Sequence, residues 1–98
     1  MFSFFPFSIH IVSGHSMQPG LKEGSRVVVF RWAYAFSKPR IGDVVVFTSN
    51  DSKGYVKRVV SVSNNSEFTV EGDNKSDSKK LPPIKKEAII GKVVAKYS

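Results

Sequence analysis

Short β-branched runs separated by Gly, Asp, Asn or Pro dominate the chain: residues 26–30 (RVVVF), 44–48 (VVVFT), 55–62 (YVKRVVSV), 67–71 (EFTVE) and 89–96 (IIGKVVAK). Valine, isoleucine, threonine and phenylalanine fit a pleated, partly buried surface, so each run predicts a strand and the chain reads as all-β. No stretch sustains a helical period. Residues 31–37 allow a turn or two before Pro39, whose ring turns the preceding residue away from helix. Strands this closely spaced in so short a chain predict a small β-barrel or folded sheet. Gly42-Asp43, Asn50-Asp51, Asn64-Asn65 and Gly72-Asp73-Asn74 mark turns, because these residues tolerate positive φ or bond their own backbone. Residues 74–86 are polar, lysine-rich and carry Pro82-Pro83, which predicts an extended surface loop feeding the last strand.

Composition narrows the picture. Ninety-eight residues make one domain, 1–98, which buries only about 60 to 65 per cent of its unfolded surface. The 41% hydrophobic and 23% charged content excludes wholesale disorder. With no cysteine, disulfide frameworks, thiolate chemistry and Cys-based zinc sites are excluded. His10 and His15 lack the spacing of a helical metal-binding pair, so no metal or cofactor is expected. The net charge of +7 and pI near 9.9 call for an anionic partner or a solvated basic surface. No arginine-rich run or aromatic RNA-binding signature accompanies the charge, which favours an anionic membrane surface and makes nucleic acid unexpected. A basic β-barrel that binds nucleic acid is the alternative from another class; its affinity would fall steeply with salt.

Residues 1–12 hold Phe2, Phe4, Phe5 and Phe7. They are too few to span a bilayer, which takes about 20 apolar residues, and they lack the basic start of a signal peptide. Two readings stand. The segment is a membrane-contacting lip or the remnant of an anchor, or it is a first strand whose phenylalanines pack on the core.

The chemistry lies in two places. Ser13-Gly14-His15-Ser16-Met17-Gln18-Pro19 offers a serine, and Tyr55-Val56-Lys57-Arg58-Val59-Val60 offers a lysine among apolar neighbours. A serine hydroxyl needs an adjacent base, and a lysine amine serves only where burial favours its neutral form. His15 adjoins Ser16, and neighbouring side chains in a strand point to opposite faces; His10 is six residues away. A Ser-His-Asp triad is therefore a poor fit. The same alternation separates Lys57 from Arg58, turning one toward a site and the other away.

These segments resemble, in order, the boxes of the type I signal peptidase family, whose relatives include the mitochondrial inner-membrane proteases. Residues 13–19 resemble the nucleophile box, 39–47 the structural Gly-Asp box, 55–60 the lysine box, and Gly72-Asp73-Asn74 with Asp77-Ser78-Lys79 the last box. The resemblance implies the antiparallel β-fold of that family's catalytic core and a serine endopeptidase that removes signal peptides from precursor proteins after small residues. It implies Ser16 as nucleophile, uncharged Lys57 as general base and no cofactor. The substrate would lie extended beside residues 11–16 and 51–57, with Ile11, Val12 and Tyr55 as binding residues. Gly14 stands where some relatives carry an oxyanion-stabilising serine, so the oxyanion would rest on backbone N–H groups, chiefly that of Ser16. Ser76 is the candidate partner of Lys57 from the compressed last box, with Ser78 as the other serine there. The family's membrane association implies a catalytic domain on the outer face of the cytoplasmic membrane, or on the intermembrane-space side of the mitochondrial inner membrane. Self-cleaving repressors of the LexA type share a Ser/Lys pair and a Gly-x-Ser-Met motif; Pro19, Lys57-Arg58 and Gly72-Asp73-Asn74 favour the signal peptidase side.

Overall fold

Three consecutive residues, Val45, Val46 and Phe47, are all buried. A strand shows alternate residues to opposite faces, so this run must be covered on both sides. It forms the middle of β3 (Val44–Thr48), and each face carries its own apolar cluster. Val45 and Phe47 pack with Tyr34, Val59, Phe68, Val70 and Ile84. Val46 packs with Val12, Met17, Leu21, Val27 and Val29.

The computed structural model describes residues 5–49, 51–63, 66–75 and 81–97. Around β3 run β1 (Phe7–Ile11), β2 (Arg26–Phe30), β4 (Gly54–Val62), β5 (Glu67–Glu71), β6 (Ile84–Lys85) and β7 (Ile89–Tyr97). They form one antiparallel sheet in the order β1-β2-β7-β3-β4-β5-β6. The fold is therefore all-β, as the runs predict, and takes the form of a folded sheet. Register shifts interrupt the β2–β7, β3–β7 and β4–β5 pairings. Such bulges add local twist, which lets the sheet coil around its two clusters. β2 and β7 approach closely at Gly91, where a Cβ would lie 2.6 Å from the Phe30 carbonyl oxygen and 2.7 Å from Val29 Cγ1.

Two expectations change. The N-terminal segment does form a strand, but Phe5 and Phe7 stay out of the core, at 67% and 42% exposure. The reason is positional. Among the described strands β1 ends the sheet, and its odd-numbered row, Phe7, Ile9 and Ile11, faces solvent; Phe7 meets the rings of Phe5 and Phe30, at centroid separations of 6.4 and 5.2 Å. Phe2 and Phe4 lie outside the described residues. The loop expected over 74–86 contains a further short strand, β6, because Ile84 drops into the first cluster and pairs with Phe68.

Candidate active site

Lys57 is the one charged residue buried among the described residues, at 4% exposure. Its burial follows from its row on β4. Tyr55 and Val59, two residues either side, both pack on the first cluster, and Lys57 pairs across to the buried Val45. Arg58 takes the other side, as alternation requires. Its Nε and Nη2 donate to the two carboxylate oxygens of Asp73 at 2.8 Å each, and its Nη1 donates to the Gly42 carbonyl at 2.8 Å. The Gly42-Asp43 turn is fastened to the same strand, with Gly42 N–H donating to the Val59 carbonyl and Val59 N–H to that of Asp43, both at 2.8 Å. Gly42 sits at φ 98°, a left-handed conformation that favours glycine. Desolvation pushes the Asp43 carboxyl up, but the Tyr34 hydroxyl at 2.7 Å, the Arg40 N–H and Lys92 outweigh it and hold the carboxyl below its usual range.

Ser16 lies in the turns between β1 and β2, partly exposed, beside the buried Met17. Met17 and Leu21 plug into the second cluster, and Leu21 N–H donates to the Met17 carbonyl at 2.9 Å. Gly14 has φ 84°, and the Gln18–Pro19 peptide is cis. Val12 N–H donates to the Ser25 carbonyl, and Gly24 N–H donates to that of Val12, each at 2.8 Å. Backbone groups of successive strand residues face opposite edges, so those of Ile11 and Ser13 are turned to the side away from β2. His15 points outward to Glu23, with Nε2 3.1 Å from Oε1. His10 contacts the Ser8 hydroxyl at 3.0 Å, and burial together with the Arg31 charge holds its pKa below the usual histidine value.

One cleft of about 400 Å³ joins these parts, lined by Ser16 and Lys57 together with Ile11, Val12 and Tyr55. All five described residues proposed from sequence as nucleophile, base or substrate contacts thus meet in one place. The cleft runs between β1 and the first half of β4. Among the described strands β1 is the last of the sheet, with β2 as its neighbour. The β4–β5 ladder begins at Arg58, next to the lysine. Tyr55 is held by its ring stacking on Phe47 at 5.7 Å and its hydroxyl donating to Asp51 at 2.7 Å. Val12 lends the cleft a buried side chain, its backbone being occupied by the Gly24-Ser25 turn. Gly14 has open space where a side chain would stand. Ser76 and Ser78 lie outside the described residues. No group of three metal-ligating side chains occurs among the described residues.

Sequence reasoning missed the tie between the two halves. The Asn74 N–H donates to the Ser16 carbonyl at 2.7 Å, and its side-chain Nδ2 donates to the His15 carbonyl at 2.9 Å. Gly72-Asp73-Asn74 signalled a turn, but nothing local in it points to a partner 59 residues away.

The profile of the family described as "Signal peptidase, peptidase S26" matches residues 1–66 of the 98. The chain belongs to the signal peptidase family. It is 28% identical over 99 residues to Signal peptidase I of Bacillus caldolyticus, an alignment covering 96% of this chain and 54% of that protein. It is 43% identical over 53 residues to Signal peptidase IB of Staphylococcus aureus, covering 54% of this chain and 28% of that protein. The chain thus spans about half the length of the first of these relatives and less of the second. The family match includes Ser16 and Lys57 and ends before Asp73 and Asn74. No helix among the described residues is long and apolar enough to cross a membrane.

Proposed function

We propose that this member of the signal peptidase family is a serine endopeptidase in which Ser16 attacks the scissile carbonyl and neutral Lys57 takes its proton. The observation that carries the reading is the single cleft lined by both side chains, with Lys57 4% exposed. Burial strips the water that would stabilise an ammonium and so favours the neutral amine. A peptide laid beside β1 and residues 54–57 would pair with strand backbone, which gives affinity without demanding a particular sequence. The substrates are precursor proteins bearing signal peptides, cut after small residues.

The site works at an anionic membrane surface, on the outer face of a cytoplasmic membrane or its mitochondrial equivalent. Two features support that placement. The solvent-facing row of β1 is apolar, and the segment after β2 exposes Trp32, Phe36 and Ile41 among Arg31, Lys38 and Arg40. Aromatic side chains interleaved with basic ones suit the headgroup region of an anionic bilayer.

The test is cleavage of a precursor carrying an Ala-x-Ala site, assayed in detergent micelles and on anionic vesicles. Ser16→Ala should lower the rate at least about 10³-fold with the fold intact. Phe5→Ser with Phe7→Ser should lower vesicle binding and spare cleavage in micelles. A Ser16→Ala protein that cleaves at the parent rate would sink the assignment.

A further inference from the structure

The peptide unit between His15 and Ser16 has the His15 carbonyl at one end and the Ser16 N–H at the other. It is trans, so the two groups point in opposite directions, and fixing one fixes the other. The carbonyl accepts from Asn74 Nδ2 at 2.9 Å and from the Gln18 N–H at 3.2 Å. The next peptide unit is pinned as well, since the Ser16 carbonyl accepts from the Asn74 N–H at 2.7 Å. Ser16 therefore sits between two peptide planes held by the same residue, which constrains both its φ and its ψ. Asn74 follows Asp73, which Arg58 grips with two bonds of 2.8 Å, and Arg58 follows Lys57. The frame that orients the serine is thus the strand that carries the lysine.

We propose that Asn74 is a positioning residue that aims the Ser16 N–H at the oxyanion formed during cleavage. The proposal rests on Ser16 acting as the nucleophile. In that step Ser16 Oγ bonds to the carbonyl carbon, its proton passes to the Lys57 amine, and the carbonyl oxygen takes up the displaced electron pair. An N–H aimed at that oxygen acts only as the charge develops, so its orientation governs kcat rather than substrate affinity. A donor on the His15 carbonyl also polarises the shared peptide and strengthens its N–H.

Two variants and two readouts test this. Asn74→Ala deletes the side-chain donor. Asn74→Asp keeps the shape but sets an acceptor against the carbonyl, while both variants keep the backbone bond. Each should lower kcat about tenfold or more, with KM and the pH profile of cleavage unchanged. A peptide aldehyde forms a tetrahedral adduct on Ser16, and its affinity should fall by the same factor as kcat/KM. In 15N-labelled protein without substrate, the Ser16 amide resonance should shift or broaden in both variants while the amides of β3 and β4 stay in place. Asn74→Asp at the parent rate, a change confined to KM, or an unmoved Ser16 resonance would each overturn the proposal. A parent protein that neither cleaves nor binds the aldehyde would instead refute the nucleophile assignment, and the Ser16 resonance would still decide whether Asn74 sets the peptide.

Discussion

The lysine and the serine are seated in opposite ways. Lys57 occupies a nine-residue strand, paired with β3 on one side and partly with β5 on the other, between side chains that form the first cluster. Ser16 occupies turns between β1 and β2, anchored by Met17 and Leu21 below and by Asn74 from across the molecule. The difference suits the roles proposed for the two groups. A lysine base needs desolvation, which a sheet interior supplies through regular pairing. A nucleophile needs access, which a strand packed on both sides would deny. The price of access is a loop whose geometry must be set by a few long-range bonds.

The comparison makes the two halves fail differently. The largest effect should come from Lys57→Met, which removes the proposed base and leaves an apolar side chain of similar length. Cleavage should fall at least about 10³-fold with the fold intact. In the parent protein, cleavage should rise with pH to a plateau as the base loses its proton. A pH-independent rate would show that another group takes the proton.

Core truncations should come next. Phe47 is fully buried in the first cluster, so Phe47→Ala should cost about 3 to 5 kcal/mol, a large share of what a domain this size has. Met17, at 2% exposure, plugs the serine loop. Met17→Ala should cost nearer 2 kcal/mol, since turns relax into a cavity more readily than paired strands. Its cleavage rate should nevertheless fall more than tenfold. Denaturation midpoints and kcat on the same two proteins check this, and equal losses of stability would break the comparison.

The smallest effect concerns the link between the halves. The Arg58 guanidinium bonded to Asp73 holds that carboxyl below its usual range, although burial opposes it. Its folded pKa therefore lies below the unfolded value of about 3.9. The stabilisation is complete above about pH 4 and is lost as pH falls through the folded value. With the Arg58 side chain 40% exposed, screening limits it to about 1 kcal/mol or less. Asp73→Asn should lower stability by that amount at pH 7 and flatten the decline in acid, as urea midpoints at pH 7 and 3 would show. A variant weakened only at pH 3 would reverse the sign.

The strands were legible because their signal is local. Val44–Thr48 reads as an apolar run because both of its faces are buried, and Glu67–Glu71 reads as an alternation because Phe68 and Val70 alone turn inward. The candidate pair was legible from the residues flanking Ser16 and Lys57. The fate of Phe5 and Phe7 was not, because their exposure depends on β1 being the outermost described strand, and strand order is a property of the whole chain. Nor was the role of Asn74, since its carbonyl partners lie in a segment distant in sequence. Ile84–Lys85 escaped notice because two residues display no period.

The outer strand has one more consequence. Among the described residues its outer edge pairs with no strand and so offers backbone rather than sequence, and Phe7, Ile9 and Ile11 supply an exposed apolar row along it. Such an edge does not distinguish an incoming peptide from the same strand of another copy of the protein. Protein kept away from lipid is therefore prone to edge-to-edge self-association. On the membrane placement proposed above, a bilayer that covers the apolar row would also keep such copies apart.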